Sequence, residues 1–476
     1  LISTILKHEW RILRADRTAW LALFAFAAAS ALAIFVGSSF SRDRSDATQA
    51  IVRNADESFG KRRAQAASAP AQPVTARPDF GPRSPSTVGM SWGSVVVLPP
   101  APLLSLAIGQ ADIYPASYTV AARTQESVQP GDSIESPLKL MTGHFDLAFV
   151  ILFLYPLLIV ATTFDLTSSE KEQGTLSLLL SQPVSQGTLV RGKILSRILL
   201  IVAPGMLLPS LGLLVAGSSW SAETWGVRLF LWVATVFAYG LFWFALALWV
   251  NSLGFRSTTN ALLLSGAWLL LVVVVPALVN LGVSLAHPVP SRVEFVTATR
   301  LATNEARING SELLGRFLED HPELSADKAA QSDFAVAQMA RDRAVAEQLA
   351  PVLSRYEDAL SRQHESVDRL RAASPTLLAQ SLLYDIAGTG ASRQRHFKQQ
   401  VDAFHEAWRA FFEPRVLAGT SLSATDYDAF PRFQFVGEPM PSVVSRTGLP
   451  LLILLAVSLA LGLLGLRRYR HFSITG

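Results

Sequence analysis

Few side chains in this 476-residue sequence are spaced for covalent chemistry. There are no cysteines, so thiolate nucleophiles, disulfides and cysteine metal sites are all ruled out. The eight histidines are scattered, and neither an H-E-x-x-H zinc pair nor a nucleophile elbow occurs. Gly187, Gly192 and Lys193 match the spacing of a phosphate-binding loop, G-x-x-x-x-G-K. Ile194, however, stands where a Ser or Thr would hold Mg²⁺, and no apolar strand precedes the glycines. The chain therefore reads as a non-enzyme with no catalytic, cofactor-binding or metal-ligating residues of its own.

The stretch 165–193 is suited to docking instead. Glu170, Lys171 and Glu172 read as a solvated charged approach. Gly174 is placed to break the preceding helix, and Thr175 to cap a new one. That new helix carries Leu176, Leu178, Leu179 and Leu180 and ends at Pro183, after which Ser185 can cap the next. A short apolar helix thus lies between two long apolar runs. Its leucines need either the headgroup region of a bilayer or a partner protein, and both readings stand.

The elements around this stretch are membrane spans. Only 16% of residues are charged, against about 25% in soluble domains. Six runs reach the length of about 20 apolar residues that a span needs: 18–37, 145–164, 194–217, 229–252, 259–281 and 447–466. The predicted fold class is mainly α, a six-transmembrane-helix protein. Basic residues favour one side: Lys7, Arg11, Arg14 and Arg17, then Lys171, Arg191, Lys193 and Arg197, then Arg256, then Arg467, Arg468 and Arg470. The positive-inside rule makes that side cytoplasmic and puts both termini there, with 467–476 as a cytoplasmic tail. The first run exceeds the 7–15 residues or so of a signal-peptide core and reads as a span that is kept. A net charge of +4 gives no reason to expect nucleic acid as a partner.

Mean hydropathy is only +0.32, because two long extracytoplasmic insertions, 38–144 and 282–446, dilute the spans. Lys61 to Gly89 reads as irregular, being rich in Ala, Pro, Ser and Arg. Ser94 to Ile108 is apolar but interrupted by Pro99, Pro100 and Pro102, so it reads as core packing rather than a span. The second insertion reads as helical. Pro351 suits a first helical turn, and Leu353, Tyr356, Leu360, Val367 and Leu370 form a stripe behind it. Ser374 and Pro375 start another helix, which ends at Gly388-Thr389-Gly390. Phe397, Val401, Phe404, Trp408 and Phe411 form a third stripe that stops before Pro414. Such stripes build an intradomain bundle or, on an exposed face, bind a partner.

At the 170–193 loop the sequence resembles a known family. Glu170-Lys171-Glu172-x-Gly174-Thr175-Leu176, then Leu179-Leu180-Ser181-x-Pro183-Val184-Ser185, then Gly192-Lys193, is similar to the first cytoplasmic loop of ABC-2 type permeases. The loop resembles that of the nitrous-oxide-reductase maturation and gliding-motility permeases particularly well. The resemblance implies that this loop is a coupling helix seated on a separate cytosolic ATPase, which holds ATP and Mg²⁺ while this chain binds no cofactor. It implies an interfacial elbow helix over 1–17, with Trp10, Arg11 and Arg14 at the membrane surface. It also implies a second permease, identical or paralogous, lipid contact, and a bacterial inner-membrane exporter. The large insertions depart from compact members, which have short outside loops and often a re-entrant hairpin before the last span. Leu98–Leu103, Gly109–Pro115 and Gly388-Thr389-Gly390 followed by Phe397 resemble a bacterial subgroup with two insertions. Periplasmic or envelope proteins are expected partners of those insertions. Two other readings are a mechanotransmission subunit, which moves its outer domains without passing cargo, and a membrane receptor or scaffold with no ATPase.

Overall fold

The computed structural model describes residues 2–68, 80–123, 129–130, 145–166, 168–175, 187–198, 225–289, 291–325 and 333–469. Leu176, Leu179, Leu180 and Pro183 lie outside these residues, as do the predicted third span beyond residue 198 and the end of the tail. The fold is mainly helical, and five helices are long and apolar enough to cross a membrane.

A short helix α1 (Ile2–Ala15) precedes α2 (Arg17–Ser68). Asp16 caps α2, its carboxylate accepting from the Thr18 and Ala19 amides at 2.9 and 3.2 Å. The Thr18 hydroxyl hydrogen bond holds the Asp16 carboxyl below its ordinary range. α2 runs unbroken for 52 residues, roughly 78 Å at 1.5 Å per residue. Lys61 to Ser68 is therefore helical, not irregular. These residues carry no Gly or Pro after Gly60, so nothing local stops the helix.

The span bundle continues with α3, which comprises Leu147–Phe149, a π segment Val150–Leu154, and Tyr155–Thr163. Next come α4 (Ser168–Glu172), α5 (187–198), α6 (Trp225–Asn251) and α7 (Ser257–Ala286). α6 is apolar on every side and lies at the centre, with Trp232, Tyr239 and Trp243 fully buried. Gly240 lets α3 approach closely, since a Cβ there would stand 2.5 Å from the Tyr155 hydroxyl. α7 presents Leu262, Leu269, Leu278 and Leu285 outward. Such a surface suits lipid or another apolar partner.

Beyond the bundle lies a distal domain. It contains α8 (Arg292–Ile308), α9 (Gly310–Asp320), α10 (Phe334–Leu370), α12 (Ala391–Leu417) and α13 (Ala424–Asp428). A three-stranded antiparallel sheet joins them: β1 (Ser94–Val97), β2 (Ser117–Val120) and β3 (Gln129–Pro130), in the order β1-β2-β3. Ser94 pairs with Val120 and Val97 with Ser117. Its core is aromatic: Phe397, Phe404, Trp408, Phe412, Tyr427 and Phe430 pack with Val96, Val120 and Met339. The upper half of α2 belongs to this domain through Phe59, which meets the rings of Tyr427 and Phe430.

Three sequence expectations need correction here. Pro351 lies inside the single helix α10, not in its first turn. It sits on an exposed face, one turn after exposed Glu347, where the missing hydrogen bond costs least. Leu360, Val367 and Leu370 are exposed, so their stripe is not the buried seam of a bundle. α12 runs through Pro414, and Phe412 is buried more fully than Phe411.

The remaining helix, α11 (Pro375–Ala387), starts and stops as its residues predict. Ser374 caps it, and Gly388 closes it in the left-handed conformation at φ 77°. Its location is the surprise. Ala379, Leu382, Leu383, Ile386 and Ala387 pack in the core of the span bundle, not in the distal domain. Leu103, Leu106 and Ala107 join the same core, whereas Val96, seven residues before Leu103, belongs to the distal one. The last spanning helix, α14 (Met440–Tyr469), packs against α6 and α11.

Candidate functional site

The ends of α3, α6 and α7, with α1, α4 and α5, meet at the basic end of the bundle. Lys193 on α5 is the hub. Its ammonium donates to Glu170 at 2.6 Å and to the Leu166 carbonyl at 2.9 Å, and lies 3.9 Å from Glu9 of α1. The Lys193 and Glu9 side chains are only 5% and 3% exposed. A lysine this deep needs polar partners, and here it has two carboxylates and a carbonyl. The arrangement ties α1 and α4 to α5 through a single atom.

A second strand of the network joins α3, α4, α6 and α7. The Asn251 amide donates to the Thr163 carbonyl at 3.0 Å and to Ala247 at 2.9 Å. Its side-chain oxygen accepts from Asn260 at 3.3 Å. Asn260 also reaches Ser168 at 3.4 Å, and the Ser257 hydroxyl donates to Ser168 at 2.9 Å. The Glu172 carboxylate caps α7 by accepting from the Ser257 amide at 2.7 Å. Arg197 donates to the Thr162 carbonyl and reaches Asp165 at 3.2 Å.

The charged approach is therefore engaged rather than simply solvated. Glu170 is paired, Glu172 is a helix cap, and Lys171 is half-buried. Gly174 ends α4 with φ 70°, a conformation that favours glycine. The Thr175 hydroxyl donates backward to the Glu170 carbonyl at 3.3 Å, across the turn that follows α4. On α1, Trp10, Arg11 and Arg14 are exposed, with the Arg14 guanidinium 5.3 Å from the Trp10 ring. Glu9 points the other way, into the bundle.

Sequence reasoning missed Glu9, Lys193, Ser168, Asn251 and Asn260. Part of the signal was present. Lys193, Asn251 and Asn260 stand in or beside apolar runs, where polar side chains demand partners. The partners themselves, up to 184 positions away in the case of Glu9 and Lys193, are not readable from local spacing. Among the described residues, no group of three or more His, Cys, Asp or Glu could hold a metal ion. The site is a network of ion pairs and hydrogen bonds that joins helix ends.

Residues 292–436 match the family model Domain of unknown function (DUF3526). The matched part covers α8 to α13, including α11, and ends just before α14. No curated protein matches the chain.

Proposed function

We propose that this chain is the membrane subunit of a bacterial ABC-type exporter, driven by a separate cytosolic ATPase. The observation that carries the reading is the Lys193 hub. It ties α1 and the 168–175 segment to α5, and that segment leads into the leucine-rich loop resembling a coupling helix. A force applied to the loop would reach three elements at once instead of being absorbed in a loose turn. In this reading residues 194–217 supply the sixth span, α1 lies as an elbow helix on the inner-membrane surface, and both termini are cytoplasmic. Glu170, Lys171, Glu172, Gly174 and Thr175 support the docking helix, while Leu176, Leu179, Leu180 and Pro183 form it. ATP and Mg²⁺ belong to the partner, and a second permease completes the assembly.

Charged substitutions at Leu179 and Leu180 test this. The double variant Leu179→Glu/Leu180→Glu is expected to insert normally and lose the ATPase encoded beside it on co-purification. ATPase recovery at the wild-type level overturns the assignment.

A second reading is favoured by one observation: the bundle and the distal domain share structural members. α2 belongs to both cores, and α11 links the bundle to α12. In this reading the chain is a mechanotransmission subunit that drives its outer domain without passing cargo. Transport into inverted vesicles supports the exporter. Nucleotide-dependent binding of an envelope protein to the distal domain, without transport, supports the mechanical reading.

A further inference from the structure

α11 is a 13-residue helix, too short to cross a bilayer, yet it is anchored at both ends to the spanning helices. At its start, the Ser374 hydroxyl donates to the Leu271 carbonyl of α7 at 2.6 Å. The Thr376 hydroxyl lies 3.1 Å from that of Tyr239 on α6. At its other end, Arg228 of α6 donates to the Ile386 carbonyl at 2.8 Å. Arg446 of α14 approaches Asp385 at 3.4 Å, and holds Glu438 with a second nitrogen at 3.0 Å.

Those arginines meet the C-terminal turn of α11, where unpaired carbonyls and the helix dipole attract cations. The chain then passes through Gly388-Thr389-Gly390 into α12, whose Phe397, Val401 and Trp408 lie in the distal core. The Ser392 hydroxyl donates to Asp385 at 2.7 Å, so the carboxylate gripped by α14 also holds the first turn of α12. Arg393 of α12 donates to the Pro99 carbonyl at 2.9 Å, fastening the far side of the joint.

We propose that α11 is a strut carrying relative movement of α6 and α14 into the distal domain. Arg228 and Arg446 are its grip on the spans, Asp385 is the shared anchor, and Gly388–Gly390 is the joint. The proposal deepens the mechanical reading above and rests on it. It explains why a helix inside the second insertion is packed with the spans: a linkage has to be held firmly at its driven end. α11 is thus a second link between the spans and the distal core beside the continuous α2, and loss of its grip loosens that link.

The test uses the full chain in lipid nanodiscs. Hydrogen exchange is read first, without any ATPase. Asp385→Asn and Arg446→Met are expected to speed exchange of amides 384–398 by about tenfold or more, with 401–412 unchanged. Arg446→Lys restores part of the protection. Unchanged exchange in both variants overturns the strut, and Asp385→Asn, nearly isosteric, decides the matter if Arg446→Met fails to fold. The chain has no native cysteine, so Glu406→Cys on α12 and Leu463→Cys on α14 accept a spin-label pair cleanly. With the ATPase bound, ATP is expected to shift the distance between the labels, and Asp385→Asn to abolish that shift while hydrolysis continues. A shift that survives Asp385→Asn, or no shift in the parent pair, overturns the strut. Failure of any ATPase to bind instead overturns the transporter reading and leaves the strut to be decided by exchange.

Discussion

At the basic end of the bundle one lysine serves acceptors from three segments, whereas at the distal end two arginines from two spans meet at the end of one helix. Lys193 is a point charge with three donors, and it gathers Glu9, Glu170 and the Leu166 carbonyl around a single nitrogen. Arg228 and Arg446 spread planar forks over a carbonyl and two carboxylates. The lysine arrangement is compact and fails as a whole. The arginine arrangement is distributed and fails in parts. The first kind holds several segments at one point, and the second spreads the hold on one helix over two spans.

The largest expected effect comes from breaking the compact end. Lys193→Met leaves buried Glu9 and half-buried Glu170 without their cation and is expected to destabilise the chain by about 3–5 kcal/mol. Thermal unfolding in detergent checks this, and a melting temperature within a degree of the parent refutes the hub. Arg446→Met should cost less, about 1–3 kcal/mol, because Arg228 keeps its bond to α11. Equal losses in the two variants would erase the distinction between the ends. Asp16→Ala removes the cap of α2 and is expected to cost about 1 kcal/mol, with its effect confined to the α1–α2 junction.

The smallest effect is one of pH. The Arg446 hydrogen bond holds the Glu438 carboxyl below its ordinary value of 4.5. A depressed folded-state pKa adds stability that is fully present above 4.5 and is lost as pH falls through the lowered value. Mild acid below 4.5 should therefore loosen the distal grip, seen as faster exchange near 384–398, and Glu438→Gln should remove that pH dependence.

Much of the helical skeleton is legible in the sequence, because local chemistry sets it. Uncharged runs mark the spans, and Ser374, Pro375 and Gly388 bound α11 through capping and backbone preference. What is not legible is where such pieces go. At Gly37 and Ser38 the residues change from apolar to polar, which reads as the end of a helix. In α2 it marks a change of surroundings along a continuous rod. α11 is apolar but shorter than a span, so length alone assigns it to the insertion, and only the tertiary contacts of Tyr239, Arg228 and Arg446 place it in the bundle. The candidate site shows the same limit. Gly174 is readable as a helix terminator. Lys193 falls within a phosphate-loop pattern that diverts attention from its buried partners.

The upper half of α2 also sets an order of assembly. Phe59 meets Tyr427 and Phe430, and Arg63 pairs with Asp428 at 2.8 Å, so a segment is matched with one made more than 350 residues later. At about 5–20 residues per second the ribosome takes tens of seconds to make the intervening chain. Throughout that interval α2 waits with its aromatic face uncovered, and the distal core closes only after residue 430 has emerged. Such long-range pairing is slow and exposes apolar surface to aggregation. Closure of the distal core is thus tied to translation of the whole stretch between Phe59 and Phe430.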